Sequence, residues 1–145
     1  MSLRTGAARF FFYGTLMDRM VLAAVLGRSP PAAKARPASL DGYRRVFRAG
    51  ATYPVLVPAP EEVVAGIVVE GLGQGDRRRL EAFEGRDYVL REMPVRVVRG
   101  GLATAWVFMP RPRLPVSATP WTPAGWRRRY RRQFLQRMAH TGRPG

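Results

Sequence analysis

The chain contains no cysteine. Disulfides, thiolate zinc sites, iron–sulfur clusters and a cysteine nucleophile are therefore excluded. It contains one histidine, His140, five residues from the end of the sequence. A Ser-His-Asp triad or a histidine metal site would rest on that tail residue, so both are poor readings. Lysine is nearly missing as well, with Lys34 alone beside 24 arginines. Acids are scarce, ten against 25 basic groups, and the net charge is +15. Long apolar runs are lacking too. The longest begins at Phe10 and meets Asp18 and Arg19 after eight residues, well short of the ~20 that span a bilayer. Arg4 and Arg9 before three phenylalanines superficially resemble a signal peptide, but the interrupting charges argue against one. A cytoplasmic protein is expected.

What is present suits one folded domain. The chain has 145 residues, 46% of them hydrophobic and 10% aromatic, enough for a real core. The expected domain covers residues 1–145, with 1–8 and 140–145 as tails. The charge is uneven: residues 126–145 hold seven arginines and no acid. Such a surplus attracts polyanions without any specific site, and a solvated basic face accounts for it more simply.

Short strands are expected over residues 8–13, 42–48, 51–57, 63–70, 94–99 and 102–109, the last two joined through Gly100-Gly101. Helices are expected over 16–26, 76–84 and 124–139, with a loop at 29–38 and an irregular, proline-rich stretch at 110–123. The sum predicts an α+β fold: a small, mixed, mainly antiparallel β-barrel with flanking helices.

Two places carry candidate chemistry. Tyr13-Gly14-Thr15-Leu16 joins a strand to a helix. Thr15 and Asp18 have capping-box spacing, which predicts a helix starting at Thr15. Unpaired amides beside Gly14 would suit a carboxylate or phosphate. An ordinary capped turn is the commoner meaning of the same residues. The second place is Glu84, after Phe83 and before Gly85 at the end of a short helix. The negative helix end and partial burial would both raise its pKa, as a general acid/base requires. On these residues alone, a surface glutamate at a helix end still leads. The other acids have plainer explanations. Asp18 and Asp76 suit caps, Asp41 and Glu61-Glu62 suit turns, and Glu81 lies a helical turn from Arg77 and Arg78. Glu70, Asp87 and Glu92 read as surface groups.

The segments FFFYGTLMD (10–18), LDGYRRVF (40–47), YPVLVPAPEEVVAGIVVEGL (53–72), LEAFEGRDYVLREMPV (80–95) and PWTPAGWRRRYRRQFL (120–135) occur in this order. Together they resemble the gamma-glutamylcyclotransferase-like family, in its small members with a Tyr-Gly-Thr-Leu motif. Tyr-Gly-Thr-Leu followed by Tyr-Pro, Val-x-Gly and Phe-Glu-Gly-x-x-Tyr makes the resemblance specific. It implies a small β-barrel with helices, and substrate held by the backbone of Tyr13, Gly14, Thr15 and Leu16. It places the general acid/base on Glu84 and lets Tyr88 line the pocket. It implies no metal and no cofactor. Two departures stand out: Glu81 replaces a frequent Asp, and Leu90 replaces a frequent Arg, so Arg91 receives no site role. The chemistry implied is release of 5-oxoproline and a free amine from a γ-glutamyl compound, through attack by its own α-amine. The leaving amine and the oligomeric state stay open.

Two other classes compete. One is a non-catalytic small-molecule-binding module of the same fold. The other is nucleic-acid binding through Trp126, Tyr130, Phe134 and the arginines between them. That aromatic stripe also suits packing on the barrel, and the resemblance includes an aromatic helix there. Pro-x-x-Pro spacings at 112–115 and 120–123 suit a chain wrapping over the barrel more than a ligand for proline-recognition domains.

Overall fold

The computed structural model describes residues 8–141, and side chains through Ala139. The expected tails fall largely outside the described residues, except that Ala8 already opens the first strand and residues 140 and 141 complete the last helix. Among the described residues six strands form one sheet: β1 (Ala8–Phe12), β2 (Ala35–Arg48), β3 (Pro54–Leu72), β4 (Tyr88–Val97), β5 (Gly101–Pro110) and β6 (Val116–Pro120). Their order is β3-β1-β5-β4-β2-β6, and a further β3–β2 pairing closes the first five into a ring. The β1–β5 pairing is parallel and the other pairings are antiparallel. Four α-helices among the described residues flank the ring: α1 (Arg19–Leu26), α2 (Gln74–Glu84), α3 (Pro123–Arg129) and α4 (Arg131–Thr141). The α+β, mainly antiparallel architecture is as the sequence predicts. No helix among the described residues is long and apolar enough to cross a membrane.

Alternation along the strands sorts the apolar residues into two layers. Phe11, Tyr13, Leu40, Val64, Val68, Val95 and Val107 form a cluster supplied by the ring strands, and this fills the ring. Phe10, Phe12, Val69 and Leu72 face the other way and pack with Leu22, Val25, Leu80, Trp121 and Trp126 under the helices. β1 belongs to both layers, which is why its aromatic run is buried throughout. Gly66 lets β1 lie close to β3, since a Cβ there would stand 2.3 Å from the Phe12 carbonyl oxygen.

Several local expectations need correction. Residues 54–57 of the first of the segments 51–57 and 63–70, and all of the second, belong to one strand, β3, and β2 begins at Ala35 inside the expected loop. The β2–β3 register jumps from Asp41↔Val63 to Tyr43↔Pro58. Residues 59–62 thus bulge from the ladder, and Glu61 and Glu62 sit exposed on that excursion. Asp41 is a strand residue paired with Arg96. The proline-rich stretch 110–123 contains β6, which pairs with β2. It is tied down further where Ala49 N–H donates to the Pro115 carbonyl at 3.0 Å. The chain here wraps over the barrel. The last helix is two helices, broken at Tyr130, where the backbone leaves helical geometry. The aromatic stripe survives the break and turns inward: Trp126 is buried, and Phe134 packs edge-on against Trp126 and Phe83.

Candidate active site

β1 ends at Phe12, and the next five residues set the geometry of the site. Thr15–Met17 form a single 3-10 turn, and α1 starts at Arg19. The expected cap is displaced: Asp18, not Thr15, caps α1, accepting from Met20 N–H at 3.0 Å and Val21 N–H at 3.2 Å. Burial opposes the Asp18 charge, but Arg131 and these two amides outweigh it and hold its pKa below the ordinary carboxylate value. Within the turn, Met17 N–H donates to Gly14 O and Asp18 N–H donates to Thr15 O, both at 3.0 Å. The amides of Gly14, Thr15 and Leu16 have no acceptor among the described residues. Gly14 is required by packing: a Cβ would meet Pro54 Cγ at 2.9 Å. The sequence reading left that space for a ligand, whereas a proline fills it.

Glu84 reaches the same place from the other side of the chain. It is the last residue of α2, and Gly85, at φ +76°, reverses the backbone behind it. A short 3-10 turn (Gly85–Asp87) then leads into Tyr88 and β4, with Arg111 N–H donating to Asp87 O at 2.9 Å. Glu84 forms no hydrogen bond or ion pair with any described residue. Burial alone raises its pKa from 4.5 to about 8. The helix dipole, the other expected cause, is not needed for the shift.

These parts line a small, partly open cavity of about 20 Å³, walled by Tyr13–Leu16, Glu84, Tyr88, Phe11, Phe12, Tyr53, Pro54 and Phe108. The structure thus places all six residues singled out from the sequence around one cavity. Their side chains differ in availability. Tyr13 Oη donates to Phe108 O at 2.6 Å, and Tyr88 Oη donates to Pro54 O at 2.5 Å. Burial first, then the nearby Glu84 charge, pushes the Tyr13 phenol up; burial and neighbouring acidic groups push Tyr88 up likewise. Both phenols are spent on backbone and present rings to the cavity. Thr15 and Leu16 are buried, so the turn also offers backbone.

Sequence reasoning gave no site role to Tyr53, Pro54 or Phe108. The signal available was the Tyr-Pro dipeptide itself, whose proline closes on Gly14. Tyr53 Oη donates to Asp87 Oδ2 at 2.6 Å, and Arg48 holds the same oxygen at 3.0 Å. Burial and this bond raise the Tyr53 pKa to about 12, while Tyr53 and Arg48 keep Asp87 below the ordinary carboxylate value.

A family model described as gamma-glutamyl cyclotransferase, AIG2-like, matches residues 10–128, which includes every wall of the cavity. The chain belongs to this gamma-glutamyl cyclotransferase, AIG2-like family. A curated Arabidopsis thaliana relative named AIG2-like protein D is 33% identical over 78 residues, taking in 54% of this chain and 49% of that protein. The chain thus matches about half the length of that curated relative. Among solved structures, an Arabidopsis thaliana protein determined in solution superposes with a TM-score of 0.67 at 22% identity, covering 99% of this chain and 98% of that one. A yeast gamma-glutamyl cyclotransferase specific to glutathione superposes at 0.62 with 16% identity, covering 93% and 88%. At such identities, the structural likeness to AIG2-like and cyclotransferase proteins concerns the fold.

Proposed function

We propose that this family member is an active gamma-glutamyl cyclotransferase, releasing 5-oxoproline and a free amine from a small γ-glutamyl compound. The observation that carries the reading is the Glu84 carboxyl. Among the described residues it has no hydrogen-bond or ion-pair partner; its pKa is raised to about 8, and it lines the same small cavity as three backbone amides that lack an acceptor there. In this reading the α-carboxylate of the substrate accepts from the Gly14–Leu16 amides. The α-amine nitrogen then attacks the γ-carbonyl carbon. A ring C–N bond forms and the γ-amide C–N bond breaks. Glu84 takes the proton given up by the α-amine and passes it to the leaving nitrogen. An acid near 8 lies close to the range of α-amines, so the proton moves either way at little cost. Because attack is intramolecular, the protein's main task is to hold the folded-back conformer. Phe11, Phe12, Phe108 and the Tyr53 and Tyr88 rings wall that conformer in. The residues in play supply acid/base and positioning roles without a metal or organic cofactor. The expected setting is cytoplasmic, with a small molecule as partner and no specific nucleic acid.

The test is a panel of γ-glutamyl amines, including glutathione, γ-glutamyl amino acids and γ-glutamyl-lysine, assayed for 5-oxoproline. Turnover of at least one, lost in Glu84→Gln, is the expected result. Binding of 5-oxoproline with no turnover across the panel would instead favour a binding module of the same fold.

A further inference from the structure

A three-residue 3-10 turn has almost no dipole of its own, so three free amides alone are a weak carboxylate site. A cation stands directly behind them. Arg45, on β2, sends its Nη1 past β3 to the Tyr13 carbonyl at 2.9 Å, and the same nitrogen donates to Ala65 O at 2.9 Å. Arg9, Arg28, Arg48, Arg77, Arg96 and Arg131 each pair with a carboxylate. Arg45 pairs with none among the described residues. It is half-buried against the Trp121 ring, 5.9 Å from its centroid. Trp121 is itself fixed by donating from Nε1 to Thr52 O at 2.9 Å. Arginine remains charged in such a place. Burial lowers the Arg45 pKa, the sign of a cation short of counter-charge.

We infer that Arg45 is the positioning residue of the site: it orients the Gly14–Leu16 amides through the Tyr13 carbonyl and supplies the uncompensated positive charge that selects a carboxylate. The inference rests on the cyclotransferase reading of the cavity. A planar trans peptide carries its C=O and N–H in opposite directions. Holding the Tyr13 oxygen against Arg45 therefore fixes the Gly14 N–H to point away from Arg45. One Nη carries two hydrogens, one for each carbonyl, and the planar guanidinium holds both at once. A lysine keeps the charge but loses that fork. Arg45 does not line the cavity, so its influence on substrate passes through the turn and through its field.

The deciding measurement is titration of the protein with 5-oxoproline and with its uncharged carboxamide, together with steady-state kinetics on the best γ-glutamyl amide. The wild type should prefer the acid by about tenfold or more, as a charge-assisted contact gives. In Arg45→Met that preference should collapse to within about threefold. KM should rise about 10- to 100-fold while kcat stays within about threefold, because the lost field and amide orientation act on the ground-state carboxylate as much as on the transition state. Arg45→Lys should recover part of the preference, and it carries the test if the methionine variant does not fold. An unchanged preference in either variant, or equal loss of acid and amide, overturns the assignment of Arg45 alone. A wild type that neither binds 5-oxoproline nor turns over any γ-glutamyl amide overturns both readings.

Discussion

Helix α2 carries a carboxylate at each end, and the two have opposite fates. Asp76, in the first turn, is 6% exposed. It accepts from Gly73 N–H at 2.9 Å and from both terminal nitrogens of Arg28. The Arg28 bond first, with the Gly73 amide helping, outweighs desolvation and lowers its pKa. Glu84, in the last turn, has no hydrogen-bond or ion-pair partner among the described residues, and burial raises its pKa to about 8. Asp76 is the more buried of the two and Glu84 is half-buried, so burial alone does not explain why it is Glu84 whose pKa rises. Partnership does. A buried carboxylate that is satisfied serves the fold, and one left unsatisfied beside a cavity is held ready to exchange a proton.

Glu84→Gln should widen that contrast most. It keeps the shape and removes the titration. Turnover of a γ-glutamyl amide should fall by about 10²- to 10⁴-fold, the usual share of a general acid/base. The thermal midpoint at neutral pH should be equal or higher. Turnover within tenfold of the wild type would remove Glu84 from the mechanism.

The pH dependence of stability should separate the two ends next. Below pH 4.5 the Glu84 carboxyl is protonated in folded and unfolded chains alike. Between 4.5 and about 8 the unfolded chain releases the proton and the folded chain retains it. Stability therefore falls as pH rises through this window, by at most about 1.4 kcal/mol per unit, and Glu84→Gln should abolish that slope. Asp76 has the reverse sign. Its lowered native pKa stabilises the fold above the unfolded value and is lost as pH falls through the native one. Denaturant titrations at several pH values on the wild type, Glu84→Gln and Asp76→Ala would read this directly. A Glu84→Gln profile parallel to the wild type between pH 5 and 8 would mean that the carboxyl is solvated.

Asp76→Ala should cost about 1–3 kcal/mol, combining a lost cap with a strong ion-pair bond, discounted because Arg28 is half exposed. Turnover should stay within about twofold. A stability loss under 0.5 kcal/mol would show that the fold does not depend on this end of the helix.

The same contrast governs how far the site is legible in the sequence. Tyr13–Leu16 and Glu84 stand at a glycine turn and a helix end, but those local marks alone favour an ordinary capped turn and a surface glutamate, and the family resemblance carries the site reading. The acids that serve the fold are half-visible. Asp76 is expected to cap a helix over 76–84; it is instead the third residue of a helix that starts at Gln74, and its Arg28 lies 48 residues away. Asp18 shows a cap, but nothing local says that Arg131 will bind it or that Thr15 will give up the cap. Tyr53, Pro54 and Phe108 reach the cavity through sheet register, which a single sequence does not fix. The prolines of β3 hid one long strand behind what looked like two, since the four-residue excursion at 59–62 has the composition of a turn. At the other end of the chain, spacing by four gave the inward stripe Trp126–Tyr130–Phe134 correctly, and the helix break at Tyr130 left that spacing intact.

A third acid on the same helix supplies the smallest effect and the sharpest control. Glu81 lies between the two ends, fully outside both roles, with Arg77 one turn back at 3.8 Å. Both side chains are exposed, and Arg77 also stacks over Trp106 at 4.5 Å from the ring centroid. An exposed i,i+4 pair at that distance contributes about 0.3–0.5 kcal/mol at best, and salt screens it. Arg77 keeps its aromatic contact when Glu81 is gone, so even this small term is partly replaced. Glu81→Ala gains helix propensity in exchange, by a few tenths of a kcal/mol. The two effects should nearly cancel. The variant should match the wild type within about 0.5 kcal/mol in urea at low and high salt, with unchanged turnover. A larger, salt-sensitive loss would mean that this face of α2 is not simply solvated. Ranking these three carboxylates by partnership would then fail on the helix where it is easiest to apply.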